Sequence, residues 1–360
     1  MKKILTTIAI IIVVAAKAQY PPVTIPGSST RFIQSAIVQG QEYELQILLP
    51  ANYASSKKQY PVVYLMDSQW DFPLVKSIYG QYYYDGFIPE LIIVGVTWGG
   101  KNPNPDSLRA RDYTPTRENR LPQSGGADKF LSFMKEELFP FMEKNYRVKT
   151  NDRILMGCSL GGLFTIYTML THTEMFNGYA AASPAIGWDN NILYQYEKVF
   201  ATKKINTPVR LYMTIGDVER GRAGFENMAS FLQNKQYPNI QIRSKVLENT
   251  GHSGTKSETY TRGLQFIFEK QALALTSEQL AKYAGTYQAD NGNTIELKAG
   301  SDGLYWQFNP QNKFKLLVNS GNHFYATHEF FNLYFQINNE KIEGFNWERF
   351  GSNQYLKKIK

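Results

Sequence analysis

A serine hydroxyl, a histidine and a carboxylate held together can transfer acyl groups, because the histidine takes the hydroxyl proton while the carboxylate orients the ring. This chain of 360 residues offers few ways to assemble that set: it has only four histidines, His172, His252, His323 and His328. The serine that stands out by its neighbours is Ser159, in Gly157-Cys158-Ser159-Leu160-Gly161-Gly162. Glycines two before and two after a serine suit a strained strand-to-helix turn where the chain passes too close for a Cβ, leaving the hydroxyl exposed as a nucleophile. His252 is the candidate base, in a loop (Asn249-Thr250-Gly251-His252-Ser253-Gly254) between an alternating apolar strand and a helix. His172 reads as a helix-end residue, and His323 and His328 fall in a C-terminal stretch of different texture. Two carboxylates compete for the third place, Asp217 and Glu219, both following an apolar strand at 209–215. Either gives the chain order serine, acid, histidine; a serine–histidine pair without an acid is the third possibility.

These residues need a scaffold that brings strand ends together. Residues 153–156 read as a buried strand running into the serine turn, and 163–170 as a densely apolar helix leaving it. Residues 61–66 and 91–96 are further continuous apolar runs, as expected of parallel strands covered on both faces. Residues 31–49 alternate around Gln39-Gly40-Gln41 as a half-exposed hairpin. A developing oxyanion needs two backbone donors: one expected from Leu160, the other from the loop after residue 66, where Gln69 or Ser68 is the candidate. Residues 97–126, rich in Gly, Pro, Asn and Arg, read as a long irregular excursion near the strand ends, made basic by Arg109, Arg111, Arg117 and Arg120. Trp70, Arg111 and Trp188 are the expected substrate contacts. Residues 128–145 carry Phe130, Phe133, Met134, Leu138 and Phe141 at helical spacing.

Lys2-Lys3, an apolar stretch over 4–16 and Ala16-Lys17-Ala18 have the form of a signal peptide cleaved after Ala18, so export to the periplasm or exterior is expected, without stable membrane insertion afterwards. Losing Lys2, Lys3 and Lys17 lowers the formal net charge from +8 to +5, and the remaining basic residues are interleaved with acids, which argues against nucleic acid as a partner. The single cysteine, Cys158, excludes an internal disulfide and is expected to be a small buried residue behind the turn. The histidines are too few and scattered for a zinc site, and no glycine-rich loop marks a nucleotide site, so no metal and no cofactor is expected.

Taken together, Tyr60-Pro61-Val62-Val63-Tyr64-Leu65-Met66-Asp67, Arg111-Asp112-Tyr113-Thr114-Pro115, the Ser159 hexapeptide, Phe176-Asn177-Gly178-Tyr179-Ala180-Ala181-Ala182-Ser183-Pro184 and His252 resemble the Putative esterase family. This is the group of α/β-hydrolases that includes esterase D, enterochelin-type siderophore esterases, feruloyl and acetylxylan esterases and mycolyltransferases. The resemblance spans about residues 31–270 and implies an α/β class protein with the α/β-hydrolase fold, a mostly parallel central sheet and serine-esterase activity. It favours Glu219 over Asp217, through the Gly-x-x-acid turn common after that strand. Ser68, where the family usually has glycine, and Cys158, where histidine or another residue is common, depart from the pattern.

From residue 275 onward the texture changes to short alternating strands between Gly, Asn and Asp turns, suited to a small antiparallel barrel or sandwich. Its opening, Leu280 to Tyr287, is similar to the β-rich appendage of β-lactamase-like exported hydrolases, and a packing or substrate-presenting role without catalytic residues is expected of it. The expected organisation is therefore a signal peptide at 1–18, a catalytic unit at 19–272 and a β unit at 273–360. The expected function is hydrolysis of a small-molecule or glycan ester, siderophore and acylated-carbohydrate esters included. An acyltransferase using the same residues and a non-catalytic polysaccharide-binding protein are the competitors, and oligomeric state is not legible.

Overall fold

The computed structural model describes residues 24–270, 272–307, 312–326, 331–349 and 352–360. The expected signal peptide and His328 lie outside the described residues.

The chain opens with the hairpin β1 (Ser28–Gln34) and β2 (Glu42–Leu48), followed by β3 (Tyr60–Leu65), α1 (Ser68–Tyr84), β4 (Ile92–Trp98) and α2 (Pro105–Tyr113). A helical stretch runs through α3 (Ala127–Phe133), a π-helical turn (Met134–Leu138) and α4 (Phe139–Asn145). Then come β5 (Val148–Cys158), α5 (Leu160–Thr171), β6 (Gly178–Ala182), α6 (Leu193–Phe200), β7 (Val209–Gly216), α7 (Arg222–Asn234), β8 (Ile240–Leu247) and α8 (Thr255–Ile267). The strands form one sheet in the order β1-β2-β4-β3-β5-β6-β7-β8. Pairing is parallel from β4 through β8 and antiparallel at the β1–β2–β4 edge. Every residue of β3 and β4 is buried, because helices cover both faces; β8, the edge strand, alternates between half-buried and exposed over most of its length. Parallel pairing puts the C-terminal ends of β3, β5, β6, β7 and β8 on one rim, so the loops carrying Gln69, Ser159, Ser183, Glu219 and His252 converge there.

Two elements differ from expectation. The excursion at 97–126 contains α2, capped by Asn104, whose side chain accepts from the Ser107 amide. The helix over 128–145 is continuous but widens to π geometry just before Pro140, whose missing N–H and bulky ring forbid the regular bond one turn back.

Beyond α8, the chain passes through α9 (Ser277–Ala281), opened by a Thr276–Gln279 capping box, into β9 (Gly285–Ala289), β10 (Thr294–Ala299), β11 (Leu304–Gln307), β12 (Lys313–Ser320), β13 (His323–Ala326), β14 (Phe331–Asn338), β15 (Lys341–Arg349) and β16 (Ser352–Lys358). These close into an antiparallel eight-stranded barrel, β9 pairing with both β10 and β16. Its interior is filled by aromatic side chains, Tyr287, Trp306, Phe324, Phe331, Phe335 and Phe345 among them. The barrel meets the sheet through Lys58 on Glu348 (2.8 Å), Lys270 on Asn332 (2.9 Å) and the Tyr325 hydroxyl on the Lys270 carbonyl (3.2 Å). These contacts lie where β3 begins and α8 has ended, at the rim opposite Ser159. At about 3.3 Å per residue, the length of β5 separates the two rims by roughly 30 Å. A barrel docked there does not present substrate to Ser159 of its own chain.

Candidate active site

Ser159 adopts φ 61° and ψ −115°, outside the usual regions for a residue with a side chain. Its surroundings enforce this: its amide donates to Ala182 (3.0 Å), while its carbonyl accepts from Leu163 (2.9 Å) and Ala185 (3.1 Å). A Cβ on Gly157 would lie 2.6 Å from the Gly161 carbonyl carbon, and one on Gly162 would lie 2.9 Å from the Ala182 carbonyl oxygen. Both glycines are therefore steric requirements of the turn. Leu160 begins α5, its amide at the positive end of the helix. Cys158 is buried behind the turn, and burial pushes its thiol up to about 12, which keeps it protonated.

The histidine loop folds back across the rim. A Cβ on Gly216 would fall 1.9 Å from the Thr250 carbonyl oxygen, so glycine at the end of β7 lets the loop lie flat over it. The His252 carbonyl then accepts from Thr255 Oγ1 (2.8 Å), which lies 2.7 Å from Ser183 Oγ, and this brings the loop over the end of β6, the neighbour of β5. His252 Nδ1 bonds Glu219 Oε2 at 2.6 Å. An ionised carboxylate only accepts, so Nδ1 carries the proton and Nε2 is left as the free base. Glu219 Oε1 accepts from Ser183 Oγ (2.6 Å) and the Gly216 amide (2.8 Å). Burial raises the Glu219 carboxyl, but the bonds from Ser183, Gly216 and His252 outweigh this and hold it below its ordinary value. Asp217 points elsewhere and accepts from the Thr250 amide (3.2 Å), shaping the loop. Among the described residues no hydrogen bond joins Ser159 Oγ to the imidazole; such contacts commonly tighten only with substrate bound.

Asp67 precedes α1 in the left-handed region, at φ 54° and ψ 37°. Its buried carboxylate is gripped in fork geometry by Arg109, Nε to Oδ1 at 3.0 Å and Nη2 to Oδ2 at 2.8 Å; Nη2 also reaches the Cys158 carbonyl at 3.3 Å. One guanidinium thus ties the loop before Gln69 to the residue before the nucleophile. From the other side Asp71 accepts from Lys256 (2.6 Å) and Tyr260 (2.8 Å) of α8. Ser68 fits in place of the family's glycine because Gly95 of β4 faces it: a Cβ there would lie 2.4 Å from Ser68 Cβ. Gln69 sits in the first turn of α1, with its side-chain amide buried and without a partner among the described residues.

Of the expected substrate contacts, Trp70 is 50% exposed beside Arg109, whose guanidinium lies 5.7 Å from its ring. Trp188 follows the Ala185 turn that bonds Ser159, and its Nε1 donates to Thr116 Oγ1 at 3.1 Å. Arg111 does not join them. It is committed to Asp112 (2.7 Å) and Gln41 (3.0 Å), in a cluster where Asp112 also accepts from Tyr43 (2.8 Å) and Trp98 (2.7 Å). Arg109, two residues earlier and so on the opposite side of α2, is the one that reaches the rim. Sequence reasoning also missed Ser183, whose signal was only its place after the small-residue strand Gly178–Ala182.

The sequence matches the Putative esterase family over residues 35–295. The chain belongs to that family. This esterase is a serine hydrolase of carboxylic esters, and it is 31% identical over 212 residues to the ferri-bacillibactin esterase BesA of Bacillus subtilis, covering 55% of this chain and 72% of that one. It is 26% identical over 192 residues to the siderophore triacetylfusarinine C esterase of Aspergillus fumigatus, covering 51% and 65% respectively. The crystal structure of the BES protein from Bacillus cereus superimposes on the esterase with a TM-score of 0.64 at 25% identity, over 69% of this chain and 97% of that one. Residues 269–358 match a second family, known only as a domain of unknown function.

Proposed function

We propose that this esterase cleaves the ester bonds of a siderophore with Ser159 as nucleophile, His252 as base and Glu219 as the acid that orients it. The observation that carries the reading is the 2.6 Å bond from His252 Nδ1 to Glu219, which fixes the tautomer and frees Nε2 on the rim that holds Ser159. Ser159 Oγ attacks the ester carbonyl as its proton passes to Nε2; the same proton then goes to the departing alkoxide, leaving an acyl-serine. Water, deprotonated by His252, attacks the acyl carbon and releases the acid. The tetrahedral oxyanion is held by the Leu160 amide and an amide of the Gln69 turn. Substrate class follows the relatives, whose names state esterases of bacillibactin and triacetylfusarinine C siderophores. Site shape agrees: with His252 and Trp70 both 50% exposed, the rim is open enough for a bulky ester. Export through the basic and apolar N-terminus, with Gln19 as the first mature residue, is part of the proposal and is checked by mass spectrometry of the mature N-terminus.

The test compares kcat/KM on a siderophore triester with that on p-nitrophenyl acetate and on a feruloylated sugar. A preference for the siderophore of at least tenfold supports the reading; a preference for the feruloylated sugar overturns the substrate class while leaving the chemistry intact.

A further inference from the structure

Between the sheet and the barrel lies a cavity of about 720 Å³, within the range of small-molecule sites. It opens at the rim away from Ser159, so it is separate from the site of ester cleavage. The barrel interior itself is filled by aromatic side chains. Its walls include Tyr60, Lys270, His323, Asn332, Tyr334 and Glu348.

The charges of these walls are unevenly paired. Glu348 pairs with Lys58 at 2.8 Å, which also reaches Glu90 at 3.7 Å; Glu348 also bonds the Tyr334 hydroxyl and acts on Lys270 only through space. Lys270, in contrast, has the neutral Asn332 Oδ1 at 2.9 Å and the Tyr325 ring at 4.7 Å, and among the described residues no carboxylate forms an ion pair with it. A half-buried ammonium against a neutral oxygen and a ring face retains room for an anion. Tyr60 is 1% exposed, yet its hydroxyl has no partner among the described residues. Tyr334 lies flat on His323, with centroids 4.5 Å apart at 17°, and is 37% exposed, so one ring face stays open. His323 is itself fixed by Asn319 (3.0 Å) and Asn332 (2.9 Å), which makes the stacked pair a rigid wall.

We propose that this junction is a second binding site that takes a small planar organic acid, its carboxylate on Lys270 and its ring against Tyr334. Burial lowers the Lys270 ammonium from its ordinary value, and a bound carboxylate opposes that shift. The ligand touches both units, so it also strengthens their contact.

Isothermal titration of the full chain with sodium benzoate tests the proposal, with benzamide as the uncharged isostere. Saturable benzoate binding is expected in the wild type and unchanged in Ser159→Ala, while benzamide gives none. Lys270→Met and Tyr334→Ala each weaken benzoate about tenfold or more, the loss of one charge-assisted contact or one stacking face. Lys270→Arg retains binding, and ester hydrolysis by all three junction variants stays at the wild-type rate. Absence of saturable binding, equal binding of benzamide, binding unaffected by Tyr334→Ala, or loss of binding in Ser159→Ala overturns the proposal; the last places benzoate in the ester site.

Discussion

The two rims of the sheet are built by opposite means. At the C-terminal rim the geometry is forced by the backbone: left-handed Asp67, Ser159 and Ser183, and glycines whose Cβ atoms would overlap neighbouring main chain. At the N-terminal rim the barrel is tied to the sheet by long polar side chains beside a cavity, Lys58 with its side chain 57% exposed among them. Strained backbone fixes reacting groups to fractions of an ångström, whereas long side chains tolerate movement. The first rim is thus suited to chemistry and the second to adjustable contact.

The largest effects should follow from changes at the rigid rim. Ser159→Ala and His252→Ala are each expected to lower kcat by about 10⁴ to 10⁶ with no change in fold, read by steady-state kinetics and circular dichroism. Glu219→Gln comes next, at about 10³ to 10⁴, since an amide facing Nδ1 favours the wrong tautomer. Asp217→Asn, two residues away on the same turn, should stay within about tenfold, because it only loses charge on hydrogen bonds to the Asn249 and Thr250 amides. If the two acid variants behave alike, the rim is not organised around Glu219. Ser183→Ala removes one of the donors to Glu219 and is expected to cost about tenfold in kcat, measured against a Ser183→Thr control.

The barrel rim should respond weakly. Lys58→Ala breaks an exposed pair and is expected to cost less than about 1 kcal/mol by denaturant melt, with hydrolysis unchanged. Its pH dependence has a definite sign. Burial lowers His323 below its ordinary value, so the folded chain binds fewer protons there than the unfolded one. The contribution of neutral His323 is present above about pH 6.5 and is lost as pH falls below it, an effect that His323→Gln removes from a melting series.

The same contrast explains what could be read from the chain. The serine turn was legible because its glycines are required by local sterics, and the parallel strands because burial on both faces leaves continuous apolar runs. Glu219 and Asp217 sit on one turn, and only the path of the His252 loop over Gly216 decides which of them meets the imidazole. Arg109 and Ser183 meet partners 42 and 36 positions away, a distance over which local pattern carries no signal. In the β unit the alternation announced strands, yet neither the closure of β9 onto β16 nor the rim on which the barrel docks is written in any one strand.

Treating the full chain with a fluorophosphonate and mapping the adduct by peptide mass spectrometry tests whether Ser159 is the nucleophile. Stoichiometric modification at Ser159 is expected, abolished in Ser159→Ala and slowed in His252→Ala. Modification at another residue, or a wild type that does not react, would contradict it.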